Sequence, residues 1–424
     1  MRRWRLGLVA LLAFGLAGCG LSEDREPTGP VSSASASVGP SADGKPARVP
    51  HDPPDWFNAR GAVALPPEAT DGRTNLLGDV RDLGVAMQRT SAYVASADRV
   101  QTVDLTTGRV VGVARPHGKP LGEDDDATAP LLIADGPVVV TPFLVMQPGS
   151  GTQSSSTMLE VVATTPETGK VAWSTAVLIP REWAQRDSST PRASVVGFAG
   201  GAVIVTVHTG YNAMTVGIDV TTHQLRWTAK NIRVGAVTAG AAVGVDILEG
   251  FGPDVVVGLD PATGEEKWRA EKTESASVAS AGPSLVRADG YAEGGRRLDR
   301  LLNPDTGKVQ ADVPKGLESV SCPYDRAETL VCAASSIIVA LDSTSGKELW
   351  RLKDDQADGR SAPKVTASWH GRIYARVSST SAVTLDARTG KDMPTRPKVT
   401  PVLVNEYQGL VLVDGELLAY PTGG

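Results

Sequence analysis

The chain has 424 residues, a formal net charge of −6 and three Cys, with 45 Gly and 29 Pro. The negative charge argues against a nucleic-acid-binding surface, and three Cys are too few for a disulfide scaffold. Apolar residues cluster in short runs without long amphipathic helical patterns, which favours a fold of many short strands and turns.

Residues 1–18 have the pattern of a targeting segment. Three Arg near the start precede the apolar run Leu6 to Leu16, which is too short to span a bilayer comfortably, and Gly18 stands before Cys19. The pattern resembles a bacterial lipoprotein signal, in which the Cys receives a diacylglycerol and cleavage occurs in front of it. An ordinary cleavable signal with an incidental Cys is the alternative. The resemblance implies a mature protein of net charge −9 that is lipid-anchored at Cys19 on the extracytoplasmic face of the cell membrane.

Residues 19–58 follow as a segment rich in Pro, Ser, Ala and Gly. It has few large apolar residues with which to bury surface, so the sequence predicts a flexible linker of about 35 Å r.m.s. span between membrane and domain.

A short unit recurs through the rest of the chain, and its clearest copy is Ile337 to Arg351, IIVALDSTSGKELWR. A β-branched run precedes an Asp, which can bond the backbone two residues on, and a Gly, which tolerates positive φ; this predicts strand, turn and strand. Seven copies recur at intervals of 39 to 61 residues, a period typical of propeller blades. The predicted turn and docking positions are Asp104, Gly108, Gly169, Trp173, Asp219, Trp227, Asp260, Gly264, Trp268, Gly307, Asp342, Gly346, Trp350, Asp386 and Gly390.

The two chain ends complement each other. Gln408 to Tyr420 has the pattern of the inner strands of an eighth copy and lacks the outer strand, whereas Gly61 to Leu65 (GAVAL) is a spare strand near the start of the domain. Pairing them would close a ring and remove an open sheet edge. The sequence therefore predicts an all-β, eight-bladed propeller over residues 61–424, with seven blades as the alternative.

Three insertions distinguish the first blades, at residues 117–128, 147–157 and 180–192. With four antiparallel strands per blade, the Asp-to-Gly turns lie on one face of the propeller and these insertions on the other. Because binding usually resides in loops on a rigid scaffold, the sequence predicts a protein or cell-wall partner on the face with the insertions.

The repeat unit resembles the pyrroloquinoline-quinone (PQQ) repeat, a propeller blade with an Ala-x-Asp-x-x-Thr-Gly-Lys-x-x-Trp core, in the residues Ala340, Asp342, Gly346, Lys347, Trp350, Asp260, Thr263, Gly264 and Trp268. Combined with the lipoprotein signal, the chain resembles the propeller lipoproteins of actinobacteria and, more distantly, that of the outer-membrane assembly machinery. The resemblance implies that the Trp residues dock between blades. It also implies looser junctions where the ring is missing, at Gly112, Ala311 and Pro394.

Catalytic chemistry finds little support in the sequence. A quinoprotein dehydrogenase of alcohols or sugars, the alternative function, would need oxygen ligands for Ca²⁺ and often an adjacent Cys pair, and no two Cys are adjacent. The run Glu123 to Asp126 lacks the ligand spacing of a calcium loop and is interpreted as a solvated acidic loop. The five His have no zinc spacing. We therefore expect a non-catalytic binding or scaffold protein without PQQ or metal.

Cys322 and Cys332 form a candidate structural disulfide, with two buried thiols as the alternative. Glu318 to Cys322 and Thr329 to Ala334 are interpreted as neighbouring strands. Strict hairpin pairing of those strands would place Cys322 opposite Thr329, so a bulge or a wider loop is required.

Overall fold

The structure is a computed structural model that describes residues 48–70, 83–121, 128–133, 137–183, 190–247, 253–318, 320–354, 359–378, 381–395 and 397–423. Two short 3-10 helices occur near the start of these residues, at Ala59–Gly61 and Pro67–Ala69. All other regular elements described are β-strands.

The first half of the strands, in chain order, is β1 (Trp56–Phe57), β2 (Val63–Ala64), β3 (Val85–Gln88), β4 (Ser91–Ala95), β5 (Val100–Asp104), β6 (Arg109–Ala114), β7 (Lys119–Pro120), β8 (Leu131–Ile133), β9 (Val138–Gln147), β10 (Ser156–Thr164), β11 (Val171–Leu178), β12 (Arg192–Ala199), β13 (Ala202–His208), β14 (Ala213–Asp219) and β15 (Leu225–Lys230). The second half is β16 (Ile232–Val237), β17 (Ala242–Asp246), β18 (Asp254–Leu259), β19 (Glu266–Ser280), β20 (Val286–Tyr291), β21 (Arg297–Leu302), β22 (Val309–Asp312), β23 (Thr329–Ala334), β24 (Ile337–Asp342), β25 (Glu348–Lys353), β26 (Lys364–Trp369), β27 (Arg372–Arg376), β28 (Ala382–Asp386), β29 (Leu403–Val404), β30 (Gln408–Val413) and β31 (Glu416–Gly423).

Consecutive strands pair antiparallel, and the described residues form seven sheets. They comprise β3–β6, β7–β11, β12–β15, β16–β22, β23–β25, β26–β28, and a closing sheet of β1, β2 and β29–β31. In the seven-stranded sheet, the long β19 pairs with β18 through its first half and with β20 through its second, so it joins two units of four strands. The chain is an all-β propeller, as the repeats predict; the count of eight blades stays a prediction.

The ring closes through strands from both ends of the domain. Val63 and Ala64 of β2 pair with Ala419 and Leu418 of β31, which is the pairing predicted for GAVAL. A Cβ added to Gly108 in the next unit would lie 2.6 Å from Cγ1 of Val63. Val63 therefore packs against the turn of the following unit, as a Trp does elsewhere in the propeller.

The predicted linker of residues 19–58 ends earlier than Asn58. Its last part contains β1, and the buried Phe57 ring meets Tyr374 edge-on with centroids 5.4 Å apart. The Tyr374 hydroxyl donates to Pro54 O at 2.7 Å, and Trp369 Nε1 donates to Asp52 Oδ1 at 2.8 Å. The compact unit accordingly begins at Val49. The Pro-rich composition predicts a flexible linker throughout, but two adjacent aromatic residues are enough to anchor this last part on the domain.

The Asp positions of the repeat build the turns by accepting backbone hydrogen bonds. Oδ1 of Asp219 accepts the amides of Thr221 and Thr222, both at 2.8 Å. The other Asp turns described use the same acceptor, and Asn303 substitutes with its side-chain carbonyl. Hydrogen bonds from Ser345 lower the pKa of Asp342, because they favour its ionised form.

The repeated Trp residues fasten one unit to the next. Each ring lies across the inter-unit junction, and its Nε1–H donates to a backbone carbonyl of the following turn. The bonds described are Trp227 to Pro261 O at 3.1 Å, Trp268 to Pro304 O at 2.8 Å and Trp350 to Ala387 O at 2.8 Å.

The turn glycines let the backbone reach these rings. Gly264 has φ +74°, and a Cβ there would lie 2.7 Å from the Trp227 ring. His223, the residue that replaces Gly in one copy, also takes positive φ, at 60°. Its ring stacks on Trp173 with centroids 5.1 Å apart, so a second aromatic ring fills the junction instead.

The prediction of loose junctions is wrong at Gly112 and Ala311. A Cβ on Gly112 would overlap the carbonyl oxygen of Thr168, because the next turn packs directly on the bare backbone. At the other junction, a Cβ on Gly346 would lie 3.0 Å from the Cβ of Ala311. Small residues therefore allow a closer approach rather than leaving a gap; the junction at Pro394 stays a prediction.

The cysteines form a disulfide in the structure, with Sγ atoms 2.04 Å apart. The predicted register is wrong. Tyr324 pairs with Leu330 in an isolated bridge, which sets Cys322 directly opposite Cys332 without a bulge. Oδ1 of the buried Asp325 accepts the amides of residues 327 to 329 and so makes the tight turn that shortens the loop.

Trp227 gives the sharpest test of the docking contacts. We expect Trp227→Ala to lower the free energy of unfolding by about 3–5 kcal/mol, because it empties a buried junction. Trp227→Phe keeps most of the ring but leaves Pro261 O without its donor, so we expect a loss of about 1–2 kcal/mol. Leu225→Ala, at an exposed site on the same strand, is the control and should change stability by less than about 0.5 kcal/mol. Equal urea midpoints for Trp227→Ala and Leu225→Ala would contradict the docking role.

The disulfide closes a loop of sequence separation 10. In the chain-entropy model this is worth about 2–3 kcal/mol. We expect the double substitution Cys322→Ser and Cys332→Ser to lower the free energy of unfolding by that amount in urea. Dithiothreitol should produce the same loss in the natural protein and none in the double variant. Two thiols titrating in the unreduced, denatured protein would show that the bridge does not form.

Candidate functional site

The three predicted insertions lie, where they are described, at the strand ends opposite the Asp turns. We define the loop face as residues 117–121, 147–157, 180–183 and 190–192. Part of the first insertion is strand rather than loop, because Lys119 and Pro120 of β7 pair with Met146 and Val145. The acidic run Glu123 to Asp126 lies outside the described residues, as does Cys19.

Hydrogen bonds connect these segments to one another. Arg181 Nη2 donates to Ser154 O at 3.4 Å, which joins the third insertion to the second. Thr128 Oγ1 donates to Ala193 O at 3.2 Å, which joins the end of the first insertion to β12. The buried ring of Trp183 anchors the third insertion in the hydrophobic core. The described parts of the second and third insertions are therefore in contact, and the end of the first insertion lies against the strand that follows the third.

A buried carboxylate fixes the start of the first insertion. Glu160 is 4% exposed, and its oxygens accept the backbone N–H of His117 at 2.9 Å and that of Gly118 at 3.3 Å. Nδ1 of His117 lies 2.6 Å from Oε1 of the same carboxylate. Sequence reasoning missed Glu160, although a lone acidic residue among the apolar residues of β10 is a usable signal, since a buried charge needs partners.

Exposed apolar side chains lie beside these segments. Met146, Leu178 and Tyr211 are 36%, 54% and 66% exposed. Met146 and Leu178 lie at the ends of β9 and β11 beside the insertions, and Tyr211 lies in the turn between β13 and β14. A cavity of about 180 Å³ lies nearby, lined by Pro180, Trp183 and neighbouring residues. Large apolar side chains left exposed in one region are typical of a protein-binding surface.

A second candidate site is a cavity of about 740 Å³ lined by residues of β3, β26 and β29, the first strands of three sheets, and in a propeller of this strand order such strands border the central channel. Residues of the innermost strands and their flanks form most of its wall. They are Leu83, Val85, Ala129, Ser321, Pro323, Tyr324, Arg326, Lys364, Val365, Thr366, Ala367, Ser368, Trp369, Arg376, Thr400, Val402, Leu403, Val404 and Leu412.

The charges in this wall are all of one sign. Arg326, Lys364 and Arg376 contribute cations, and none of the described wall residues is Asp or Glu. Lys364 of β26 is the Cα partner of Arg376 on β27, so these two lie together. Arg326 lies beyond the other end of β26, with its guanidinium 4.9 Å from the centroid of the Trp369 ring. Partial burial lowers the pKa of Arg326, because it disfavours the charged form, although the residue as a whole is exposed.

The remaining candidate groups stay apart. Among the described residues, no group of three His, Cys, Asp or Glu side chains is placed to hold a metal ion. His370 contacts Asp52, with Nδ1 2.6 Å from Oδ1, and burial lowers the pKa of His208. None of the described helices is long and apolar enough to cross a bilayer.

Comparison with known proteins identifies the repeat. A family model described as "Outer membrane protein assembly factor BamB" matches residues 158–320 and 252–419. A comparison with curated proteins finds no match.

Several solved structures are similar at low identity. BamB from Moraxella catarrhalis has a TM-score of 0.44 and 13% identity, covering 85% of this chain and 98% of that chain. A eukaryotic initiation factor has a TM-score of 0.46 and 11% identity, covering 83% and 88%. A europium-containing methanol dehydrogenase has a TM-score of 0.40 and 12% identity, covering 80% and 83%. Likenesses at this level do not bear on function.

Proposed function

The chain belongs to the propeller family described as outer membrane protein assembly factor BamB, and from that membership we propose that it is a non-catalytic binding or scaffold protein of the cell envelope. In this proposal a lipid on Cys19 anchors the protein at the extracytoplasmic face of the cell membrane. The loop face binds a protein partner, and the Asp turns on the other face serve only to build the propeller.

The observation that carries the proposal is the loop face itself. Arg181 contacts Ser154 across two of its segments, and Thr128, at the end of the first insertion, contacts Ala193 at the start of β12, so the described parts of the insertions support one another. A surface that is already ordered loses less conformational entropy when a partner binds.

The exposed side chains beside this surface favour a protein as the partner. Tyr and Met are enriched in the cores of protein interfaces, because they cover much area, and Tyr also keeps a polar end. Tyr211, Leu178 and Met146 provide such side chains. Lys119, Arg181 and Arg192 are exposed cations of the loop face and supply the polar rim that interfaces usually have.

Site-specific photocrosslinking in intact cells tests the partner face. We replace Tyr211 or Leu178 with p-benzoylphenylalanine and use Val110, which is 43% exposed on β6, as the matched control. We expect one discrete protein adduct from the two loop-face positions and none from Val110. With the adduct identified and purified, the pair Tyr211→Ala and Leu178→Ala should weaken its Kd at least tenfold, and Val110→Ala should leave it unchanged. Absence of an adduct at both loop-face positions, or the same adduct at Val110, would refute this binding face.

The anchor is tested separately. We expect Cys19→Ala to abolish incorporation of labelled palmitate and to move the protein from the membrane fraction to a soluble one, because the acyl chains supply the membrane affinity. The double variant Cys322→Ser and Cys332→Ser is the control, since it leaves Cys19 as the one remaining Cys of the sequence and should leave labelling and fractionation unchanged. Continued labelling of Cys19→Ala would refute lipidation at this residue.

A PQQ-dependent dehydrogenase of an alcohol or sugar is the outcome that would overturn the non-catalytic proposal. The purified protein is incubated with PQQ and Ca²⁺, and dye reduction is followed with a panel of alcohols and aldoses. We expect no turnover above the rate of heat-denatured protein. Saturable turnover with any of these substrates would make the protein an enzyme.

A further inference from the structure

The channel cavity has a charge opposite to that of the chain as a whole. The protein carries a formal net charge of −6, yet the described wall of the cavity holds three cations and no carboxylate. A concave site with low-dielectric walls focuses the field of the charges that line it. The cavity should therefore attract anions although the net charge of the chain is negative.

Arg326 lines this cavity and has an uncommon backbone conformation. Its φ is +62°, in the left-handed region that L residues other than Asn and Asp rarely adopt. Its guanidinium packs over the Trp369 ring, and the charge of Glu406 attracts it from outside the cavity wall. Within the described part of the chain, no carboxylate forms an ion pair with Arg326. A guanidinium packed in this way can donate two parallel N–H hydrogen bonds to a carboxylate or phosphate.

The other two cations lie toward the loop face. β26 runs from Lys364 to Trp369, and five residues of strand span about 17 Å. Lys364 and its ladder partner Arg376 are therefore well separated from Arg326, near the end of the channel that opens among the insertions. In this position Lys364 and Arg376 can attract an anion to the cavity, whereas Arg326 can bind it at the other end of β26.

The space between the two ends is largely apolar. Val85, Val402 and Leu412 contribute aliphatic wall, and the rings of Tyr324 and Trp369 contribute aromatic wall. A volume of about 740 Å³ falls within the range of small-molecule pockets, which combine an apolar lining with a few polar groups that fix orientation.

We propose that the central channel binds a small organic anion with an apolar body, whose carboxylate or phosphate is held by Arg326 while Lys364 and Arg376 attract it from the loop face. The site is separate from the proposed partner surface, and either can fail without the other. Carboxylate and phosphate ligands share this recognition chemistry, so the experiment includes one competitor of each kind.

The fluorescent probe 1-anilinonaphthalene-8-sulfonate tests the proposal, because it combines an apolar body with one anionic group. We expect saturable binding of one probe per chain. Arg326→Gln should weaken the Kd at least tenfold, mainly through faster dissociation, because it removes the charge that holds the bound anion. Arg376→Gln should mainly slow association, and the effect should shrink in high salt. Arg109→Gln, an exposed cation on the outer strand β6, is the control and should change neither rate.

Further arms separate charge recognition from hydrophobic capture. The neutral analogue N-phenyl-1-naphthylamine should bind Arg326→Gln and the natural protein alike. Benzoate and phenyl phosphate, compared as competitors, show which anion the site prefers, and displacement by either supports the proposal. Arg326→Lys keeps the charge without the planar guanidinium and should give an intermediate Kd.

Urea midpoints for all variants identify any that fail to fold. If Arg326→Gln fails to fold, Arg326→Lys serves as the deciding variant. Equal probe affinity in the natural protein, Arg326→Gln and Arg376→Gln, with unchanged midpoints, would overturn the proposal.

Discussion

The close contact between each turn and the outer strand of the preceding unit is the constraint on which the propeller depends. The contact takes five forms: a Trp ring whose Nε1–H donates to the next turn, the stacked pair Trp173 and His223, the Val63 side chain on Gly108, the Ala311 methyl group on Gly346, and bare backbone at Gly112. These solutions differ in chemistry and agree in geometry, since each brings one turn against one outer strand. A left-handed residue in the turn makes this approach possible, and His223 shows that Gly is not the only residue that provides it.

Ring closure extends the same constraint to the chain ends. A last unit without an outer strand would leave β31 with an open edge, and unpaired backbone at an edge invites association with other chains. The N-terminal segment covers that edge twice, through β2 beside Ala419 and Leu418 and through β1 at the end of the strand. Asp52 and Pro54 continue the contact onto the neighbouring unit. Closure therefore rests on a stretch of about sixteen residues that reaches across two units, from β31 to β26 and β27.

The repeat and the turn chemistry are predictable from the sequence, because each depends on residues near one another in the chain. The closing strand is predictable because the last copy of the repeat lacks its outer strand. Asp342 and Gly346 form a turn whose hydrogen bonds are local, and GAVAL pairs where an unpaired edge requires a strand. The junction at Gly112 was misjudged because the absence of a ring says nothing about how far the next turn can move. The order of residues 49–58, the partners of Glu160 and the cations of the channel were also missed. Each of these depends on side chains that are distant in sequence and meet only when the ring is closed.

The residues that we propose to act in binding are those that the repeat leaves undetermined. Asp, Gly and Trp recur because every junction requires the same geometry, so they cannot distinguish this propeller from another. Arg326 and Arg376 have no counterpart imposed by that geometry, and they occupy inner-strand or turn positions where an uncharged residue would satisfy the fold at least as well. Lys364 and Arg376 are ladder partners whose like charges repel one another, and an anion bound beside them would relieve that repulsion. The left-handed backbone of Arg326 adds a further cost, and such strain is more often found at binding sites than in scaffold. A ligand that neutralises these charges would therefore also stabilise the folded, closed ring. Occupancy of the channel would then raise the free energy of unfolding of the propeller.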